Sequence, residues 1–473
     1  MLDIIIIGAG ISGSFLAHDL SKYNLKIMLI DKENDIANGT TMANSAIIHT
    51  GYDPEDNTLK ALLNVKGAIM YEDICKHFDI NYKKCGSLLV ACSDEEIKTL
   101  SVLKDRADRR NVRNNFLERS ELLKMESKLS DKVICGLEFP DTAIVYPWEC
   151  AIALVEEAIL NGLELRLNEM VDSIEYKDDH FIVGTNKNNT YTSKIVINAA
   201  GCGAEKIAEL LEASPYQINV KRGEYYVLSK NAKNYAKHII FPTPSSLGKG
   251  VLVVPTVHDN ILLGPNSEKI SDCDLSVTIN GLNYIKSQLS KTVKDVPYQE
   301  IIRSYAGLRA SGNNGDFYIK ESLNYPNFIH VACIDSPGLA SSPAISKYVI
   351  DNFIKHKLNL IAKDNYINRK PSLVMAKLNA EEKSEAIRKN PLYAKMICKC
   401  ENISYGEIVD AIHSISGART IKAIKKRVRP GMGKCQGGFC EVEVAKIIAK
   451  ELGIKLEDVL YDNENSKLGM EAK

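Results

Sequence analysis

The first 31 residues constrain the fold of this chain more than any other stretch. Residues 4–7 are four isoleucines in a row, an apolar run without alternation that predicts a strand buried on both faces, and a Gly-x-Gly-x-x-Gly motif at residues 8–13 follows directly. In that context Gly8 permits a tight turn, Gly10 lets the backbone approach a pyrophosphate, and Gly13 allows a helix to pack closely on the strand. The stretch therefore predicts a strand, turn and helix that bind a dinucleotide.

A second strand completes this unit. Residues 25–30 are again mostly apolar, and Asp31 follows them, where a carboxylate can accept hydrogen bonds from the adenosine ribose. The motif begins at the N-terminus of the chain, which favours FAD as a resident cofactor, although NAD stays open on this evidence alone.

Composition narrows the class of protein. The chain has 473 residues, enough for two or three domains, and its formal net charge is zero, which gives no indication of a nucleic acid or an anionic membrane as partner. The sequence contains no apolar run of transmembrane length, so we expect a cytoplasmic protein. Disulfides are rare in that compartment. Eight of the twelve cysteines are scattered and are predicted to be small core residues: Cys75, Cys85, Cys92, Cys135, Cys150, Cys202, Cys273 and Cys333.

The central part of the chain indicates two interleaved domains. Residues 194–201 predict a buried strand that ends on small residues, as expected beside a bound cofactor, so this strand should return to the first sheet. Apolar residues alternate with other residues over 216–300, and this pattern favours an antiparallel sheet that carries the substrate side of the site. Two further pieces, 304–309 and 329–340, are expected to end in glycine-rich turns, the second before a helix over residues 342–356.

The predicted fold is therefore α/β. A Rossmann-like FAD-binding domain interleaves with an antiparallel-sheet substrate domain over residues 1–356, and a charged linker follows over residues 357–395. Residues 396–460, called the cysteine module below, form a small helical iron-sulfur domain, and residues 461–473 form a tail.

Four cysteines in the cysteine module form two close pairs. The pairs are Cys398 with Cys400 and Cys435 with Cys440, and two predicted helices separate them. Such a set predicts a metal site. Zinc suits four thiolates, but C-x-C is tighter than the usual zinc knuckle, and the glycines around Cys435 leave amides free to face bridging sulfides. We therefore favour a [2Fe-2S] cluster over zinc.

Basic residues crowd the second helix of the cysteine module. We expect them first to form a solvated helix face and second to form a docking patch for an acidic redox partner: Arg419, Lys422, Lys425, Lys426, Arg427 and Arg429.

Together these motifs resemble the FAD-dependent oxidoreductases of the D-amino-acid-oxidase superfamily. The motifs that carry this resemblance are residues 8–13, Asp31, residues 44–49, 307–309 and 336–339. Residues 43–51 and 248–251 look most like glycerol-3-phosphate oxidases and dehydrogenases, and L-2-hydroxyglutarate dehydrogenases share much of the pattern. The cysteine module resembles the bacterioferritin-associated-ferredoxin type of [2Fe-2S] domain, with C-x4-C in place of C-x2-C in its second pair.

The resemblance implies an activity and a site. It implies oxidation of sn-glycerol 3-phosphate to dihydroxyacetone phosphate, with the hydride passing to flavin N5. His49 is the candidate base, and Arg309, the second catalytic candidate, should hold the substrate anion with Ser45, Lys249 and Ser336. The expected FAD contacts are Gly8, Gly10, Ile11, Ser12, Gly13, Asp31, Lys32, Thr41, Asn44, Ser45, Val171, Ala200, Gly201, Gly307, Gly338 and Leu339.

Two other functions stay open. One is a 2-hydroxy-acid or amino-acid dehydrogenase on the same scaffold, in which Arg309 holds a carboxylate. The other is an electron-transfer or iron-release module that the flavin domain supplies with electrons. The sequence shows a single dinucleotide motif, so for the dehydrogenase we expect electrons to leave through the cluster to a separate reductase subunit or redox protein.

Overall fold

The computed structural model describes residues 1–244 and 250–468. Within these ranges the chain forms 22 β-strands in four sheets and 12 α-helices. The strands are β1 (Leu2–Ile7), β2 (Ile27–Ile30), β3 (Ile47–Ile48), β4 (Tyr82–Lys84), β5 (Ser87–Ala91), β6 (Asn115–Glu118), β7 (Cys135–Phe139), β8 (Ala143–Val145), β9 (Glu164–Arg166), β10 (Val171–Lys177), β11 (His180–Thr185), β12 (Thr190–Asn198), β13 (Ile218–Leu228), β14 (Ile239–Pro242), β15 (Leu252–Pro255), β16 (Ile261–Gly264), β17 (Glu268–Lys269), β18 (Ile301–Gly312), β19 (Tyr318–Glu321), β20 (Phe328–Ala332), β21 (Met396–Cys398) and β22 (Ile403–Ser404). The α-helices are α1 (Ile11–Ser21), α2 (Leu59–Phe78), α3 (Asp94–Arg109), α4 (Arg119–Met125), α5 (Pro147–Leu160), α6 (Ala204–Glu209), α7 (Ile279–Thr292), α8 (Gly338–Val349), α9 (Ala380–Lys389), α10 (Tyr405–Ile412), α11 (Ile421–Val428) and α12 (Glu441–Leu452).

The first sheet carries the predicted dinucleotide unit. Five of its strands run parallel in the order β9, β2, β1, β12 and β20, while β19 joins β20 and the β10–β11 hairpin joins β12 in antiparallel pairs. Ile4, Ile5 and Ile6 of β1 are fully buried, which explains the apolar run without alternation. Strand β12 lies directly beside β1, as its small C-terminal residues indicated. The α/β prediction is confirmed.

The second sheet has nine strands. Strands β13 and β18 pair with each other along almost their whole length. Most of the sheet is antiparallel, as predicted, but β14 runs parallel to β5. Two expectations were wrong here: residues 279–292 form helix α7 instead of a strand, and residues 304–309 lie in the middle of β18 and do not end in a turn.

Other local expectations need small corrections. Helix α8 begins at Gly338, four residues before its predicted start, and one π-helical turn over Ile350–Ile354 extends it. All twelve cysteines are free, but Cys273 is exposed and is therefore not a core residue. None of the helices in the described part of the chain combines the length and apolar character needed to cross a membrane.

Residues 357–395 contain α9, and the part before that helix packs on the first domain. Lys363 Nζ donates to the backbone oxygen of Ser21 at 2.9 Å. Arg369 Nε donates to Glu156 at 2.6 Å, and the Arg369 amide donates to Glu157 at 2.7 Å. These contacts hold the segment before α9 against helices α1 and α5.

The cysteine module has its own apolar core between α10, α11 and α12, with the β21–β22 hairpin beside it. The expectation of a solvated basic face on α11 was wrong. Of the six basic residues only Arg419 is exposed, while Lys426 and Arg427 bury their charges against Asp35 of the first domain. A local helical pattern could not show this, because the partner lies about 390 residues away in sequence.

Candidate flavin, substrate and cluster sites

Two glycines of the first turn are required by close packing. Gly8 has φ +110°, and a Cβ atom on it would lie 2.4 Å from the backbone oxygen of Ala199. A Cβ on Gly13 would lie 1.9 Å from the oxygen of Gly8. These distances exclude any side chain at either position, because real Cβ contacts are much longer. A Cβ on Gly8 would also lie 2.9 Å from the Cα of Ala200, so Ala200, which follows β12 and precedes Gly201, lies next to the turn.

The same turn leaves a cradle in front of helix α1. The nearest atom to a Cβ built on Gly10 would be Thr41 Oγ1, at 3.4 Å, so the space above this backbone is open. Thr41 Oγ1 accepts a hydrogen bond from the amide of Ile11 at 2.9 Å. An open glycine backbone at a helix N-terminus fits the pyrophosphate of a dinucleotide.

Asp31 holds the turn against the second strand. Its carboxylate accepts hydrogen bonds from the amides of Ala9 at 2.5 Å and of Glu33 at 2.8 Å, and burial raises its pKa. Lys32 is exposed next to it, while Val171 is buried at the start of β10. Contacts of Asp31, Lys32 and Val171 with the adenosine end of FAD stay predictions.

Residues 43–49 connect this end of the molecule to the second sheet. The side chain of Asn44 is used within its own turn: its Nδ2 donates to the oxygens of Thr40 and Thr41, and its Oδ1 accepts from the amide of Ala46. His49 follows β3, and its ring lies 5.7 Å from the ring of Phe241.

One face of the second sheet meets this segment. The register of β13 and β18 places Lys221, Gly223 and Tyr225 opposite Arg309, Gly307 and Tyr305, and alternate residues of a strand share a face. A Cβ on Gly307 would lie 1.8 Å from the oxygen of Ala43, so β18 touches the 43–49 segment there. The predicted FAD contact at Gly307 therefore belongs to a strand pressed against that segment.

Two tyrosines join this face to the 43–49 segment. The rings of Tyr225 and Tyr305 stack in parallel, 4.6 Å apart. Tyr305 donates to the backbone oxygen of Asn44 at 2.9 Å, and the hydroxyl of Tyr225 lies 3.0 Å from Ser45 Oγ. Neither tyrosine was a predicted site residue, although the alternation in β13 could have indicated that Tyr225 shares a face with Gly223.

Arg309 lies on the same face. Its guanidinium extends over Gly223, since a Cβ there would lie 2.8 Å from Arg309 Nη2, and Nη1 donates to Ser267 Oγ at 3.4 Å. Ser311, two residues farther along β18, donates to Asp335 at 2.9 Å. This contact brings the exposed Ser336 near the end of the face.

Two more predicted residues, Gly338 and Leu339, begin α8. The backbone oxygen of Leu339 accepts from the hydroxyl of Tyr71 at 2.6 Å. Lys249 lies outside the described residues.

The four cysteines of the module lie in two side-chain pairs. Cys400 Sγ is 3.7 Å from Cys435 Sγ, and the thiols of Cys398 and Cys440 also contact each other. Backbone amides face the sulfurs: those of Gly437 and Phe439 donate to Cys435 and lower its pKa. In the described residues no three metal-ligating side chains converge on one point. Two thiol pairs with amide donors fit the two irons of a [2Fe-2S] cluster.

Comparison with known proteins agrees with this geometry. A family model described as FAD dependent oxidoreductase matches residues 3–352. The chain belongs to the FAD-dependent oxidoreductase family. A second model, the BFD-like [2Fe-2S] binding domain, matches residues 396–450. The oxidoreductase therefore has two cofactors, FAD and a [2Fe-2S] cluster, and both cofactor predictions are confirmed.

The oxidoreductase is similar to three proteins of related name. Glycerol 3-phosphate dehydrogenase of Caloramator mitchellensis is 44% identical over 470 residues, which is 98% of each chain. Glycerol 3-phosphate oxidase of Mycoplasma genitalium is 32% identical over 76% of this chain and 97% of its own. The solved structure of L-alpha-glycerophosphate oxidase from Mycoplasma pneumoniae with FAD bound has a TM-score of 0.74 at 28% identity, covering 79% of this chain and 99% of that one.

Proposed function

We propose that this FAD-dependent dehydrogenase oxidises sn-glycerol 3-phosphate to dihydroxyacetone phosphate and passes the electrons through its [2Fe-2S] cluster to a separate redox protein. One observation carries the substrate: the glycerol 3-phosphate dehydrogenase of C. mitchellensis is similar over almost the whole length of both chains. We further propose that the reaction takes place in the cytoplasm.

The substrate site is proposed between the 43–49 segment and the shared face of β13 and β18. Arg309 contributes a planar guanidinium whose fork of donors matches the oxygens of a phosphate. Ser45, Lys249 and Ser336 are the proposed additional contacts of the substrate. The contact between Ser45 and Tyr225 supports this arrangement, because it fixes the serine at the junction of the segment and the sheet.

His49 is the proposed general base. A neutral imidazole can accept the proton of the secondary hydroxyl while the hydride leaves the carbon that bears this hydroxyl. FAD, when bound, accepts that hydride at flavin N5. The side-chain Nδ2 of Asn64 donates to the backbone oxygen of His49 at 2.6 Å and so fixes the backbone that carries the imidazole.

Anaerobic flavin bleaching tests the substrate directly. The holoenzyme is mixed with sn-glycerol 3-phosphate, glycerol, L-2-hydroxyglutarate or glycine, and flavin absorbance is followed. We expect rapid bleaching with glycerol 3-phosphate only. Rapid bleaching by the hydroxy acid or the amino acid, with glycerol 3-phosphate inert, would contradict the proposal and leave Arg309 as a carboxylate ligand.

Two variants test the residues. His49→Asn should retain FAD and slow flavin reduction at saturating substrate by about 10²- to 10⁴-fold, the usual contribution of a general base. Arg309→Leu should instead weaken the binding of glycerol 3-phosphate while glycerol, which lacks the anion, reacts as poorly as in the wild type. Near-normal flavin reduction in His49→Asn would remove the histidine from this role.

A further inference from the structure

The cysteine module is held against the first domain by buried charges. Arg427 donates from both terminal nitrogens to Asp35, each at 2.9 Å, and Lys426 Nζ lies 2.7 Å from the same carboxylate. The side chains of Asp35 and Lys426 are each 2% exposed. Burying charges is costly unless their geometry is matched, so such a contact defines one relative position of the two domains.

A second contact lies closer to the cysteines and is aromatic. Tyr146 is the residue between β8 and α5, and its hydroxyl accepts from Arg429 and donates to Met432 Sδ at 3.6 Å. The Arg429 guanidinium lies 5.1 Å from the centroid of the Tyr146 ring. Trp148, whose ring is 4.0 Å from that of Tyr146, donates to the backbone oxygen of Lys426 at 3.1 Å.

Tyr146 is connected to the 43–49 segment through the backbone. Strand β8 pairs with β3, so that Ile144 lies opposite Ile47. The amide of Val145, the residue before Tyr146, donates to the oxygen of Ala46 at 3.0 Å. This is the segment along which we expect the flavin to lie.

On its other side Tyr146 is connected to the cluster loop. Its two partners, Arg429 and Met432, flank Gly431, whose amide donates to Cys440 Sγ. Tyr146 is therefore linked to the 43–49 segment by the hydrogen bond of its neighbour Val145, and to the proposed cluster ligand Cys440 by two hydrogen bonds, from Tyr146 to Met432 and from Gly431 to Cys440. His258 packs edge-on against Tyr146 at 4.7 Å, and burial, with Arg429 nearby, lowers its pKa to about 2, so this neighbour is neutral.

We propose that this face is an internal electron-transfer junction and that Tyr146 is the side chain across which flavin and cluster are coupled. The inference rests on the proposed passage of electrons through the cluster. In each crossing the reduced flavin loses one electron and one ferric ion of the cluster becomes ferrous. The second electron crosses after an external one-electron acceptor, such as a ferredoxin-type protein, has reoxidised the cluster, and the proton that arrived with the hydride is released to solvent.

The test follows flavin and cluster separately in the anaerobic holoenzyme. Stopped-flow absorbance reports flavin reduction, and rapid-freeze EPR reports the reduced cluster. In Tyr146→Leu we expect flavin reduction by glycerol 3-phosphate at the wild-type rate and cluster reduction at least tenfold slower. Tyr146→Phe, which keeps the ring but loses both contacts of the hydroxyl, should be slowed less. Tyr284→Leu is the matched control, because it makes the same substitution at a tyrosine of α7 that is 40% exposed and has no place in the proposed sites; cluster reduction there should keep the wild-type rate.

The outcomes separate the junction from the proposed function. Wild-type cluster reduction in Tyr146→Leu overturns the inference; if that variant loses a cofactor, wild-type cluster reduction in Tyr146→Phe overturns it instead. The flavin is also reduced by light with a sacrificial amine donor, independently of substrate. If glycerol 3-phosphate fails but photoreduced flavin still reduces the wild-type cluster, the substrate assignment fails and the junction stands. If the wild-type cluster stays oxidised beside fully reduced flavin, the junction is wrong.

Discussion

Replacing Asp35 with asparagine should release the cysteine module from the first domain. The variant keeps the size of the side chain and removes the only negative charge that contacts both Lys426 and Arg427 among the described residues. Removing one partner of a buried ion pair costs about 3 to 5 kcal/mol, because the other charges stay buried without compensation. The docked state should therefore be weakened by at least about a hundredfold.

The charges also predict how docking depends on pH. Burial alone would raise the pKa of Asp35, but Arg427 and Lys426 outweigh it and lower the pKa from 3.8 to about 2. This carboxylate therefore stabilises docking by about 2 kcal/mol above pH 3.8, and that contribution is lost as the pH falls toward 2. Burial lowers the pKa of Lys426 from 10.5 to about 8, which costs about 3 kcal/mol below pH 8 and is relieved between pH 8 and 10.5.

The single tryptophan reports this docking. Trp148 donates to the backbone of Lys426, so its emission and its access to a neutral quencher should change when the module separates. In a urea titration, Trp148 of the Asp35→Asn variant should become exposed at a clearly lower urea concentration than Trp148 of the wild type. Asp35→Asn combined with Lys426→Met should recover part of the loss, since one unpaired charge is gone. The control is Asp108→Asn, which breaks an exposed pair with Lys104. Equal midpoints for Asp35→Asn and this control would refute the reasoning.

Three further outcomes follow from the sites. Gly307→Ala should lower FAD occupancy, measured from bound-flavin absorbance, because its Cβ would lie 1.8 Å from the oxygen of Ala43; full occupancy would show that the strand can move away. Cys400→Ser should abolish the EPR signal of the cluster while bound flavin remains, and an unchanged signal would exclude this ligand. Tyr225→Phe should raise KM for glycerol 3-phosphate about fivefold in steady-state kinetics, since the lost contact with Ser45 is worth about 1 kcal/mol; an unchanged KM would place Ser45 away from the substrate.

Local signals in the sequence predicted much of the flavin side. The turn at Gly8 and Gly13 is dictated by backbone contacts within a strand, turn and helix unit, and such contacts leave a readable pattern of glycines. Gly307 was also predicted as a site residue, but it was placed in a turn and lies inside strand β18. In the sequence, a glycine that permits close approach within a strand cannot be told from a glycine in a turn.

The interface between the domains could not be predicted in the same way. Lys426 and Arg427 are spaced as on a solvated helix, and nothing near them in sequence indicates that Asp35 neutralises them. Tyr146 likewise occupies an unremarkable place before a helix. Both depend on pairing between distant parts of the chain, which local periodicity does not encode.

The buried charges of α11 also limit how freely the cysteine module can be recombined with other proteins. A graft onto another flavoprotein would place Lys426 and Arg427 against a surface without a carboxylate at the position of Asp35. The module would then stay on a loose tether, with its cluster at a variable distance from the flavin. A working fusion would need Asp35, Tyr146 and Trp148 to be transferred together with the module. These three residues form the part of the first domain that the module requires for docking.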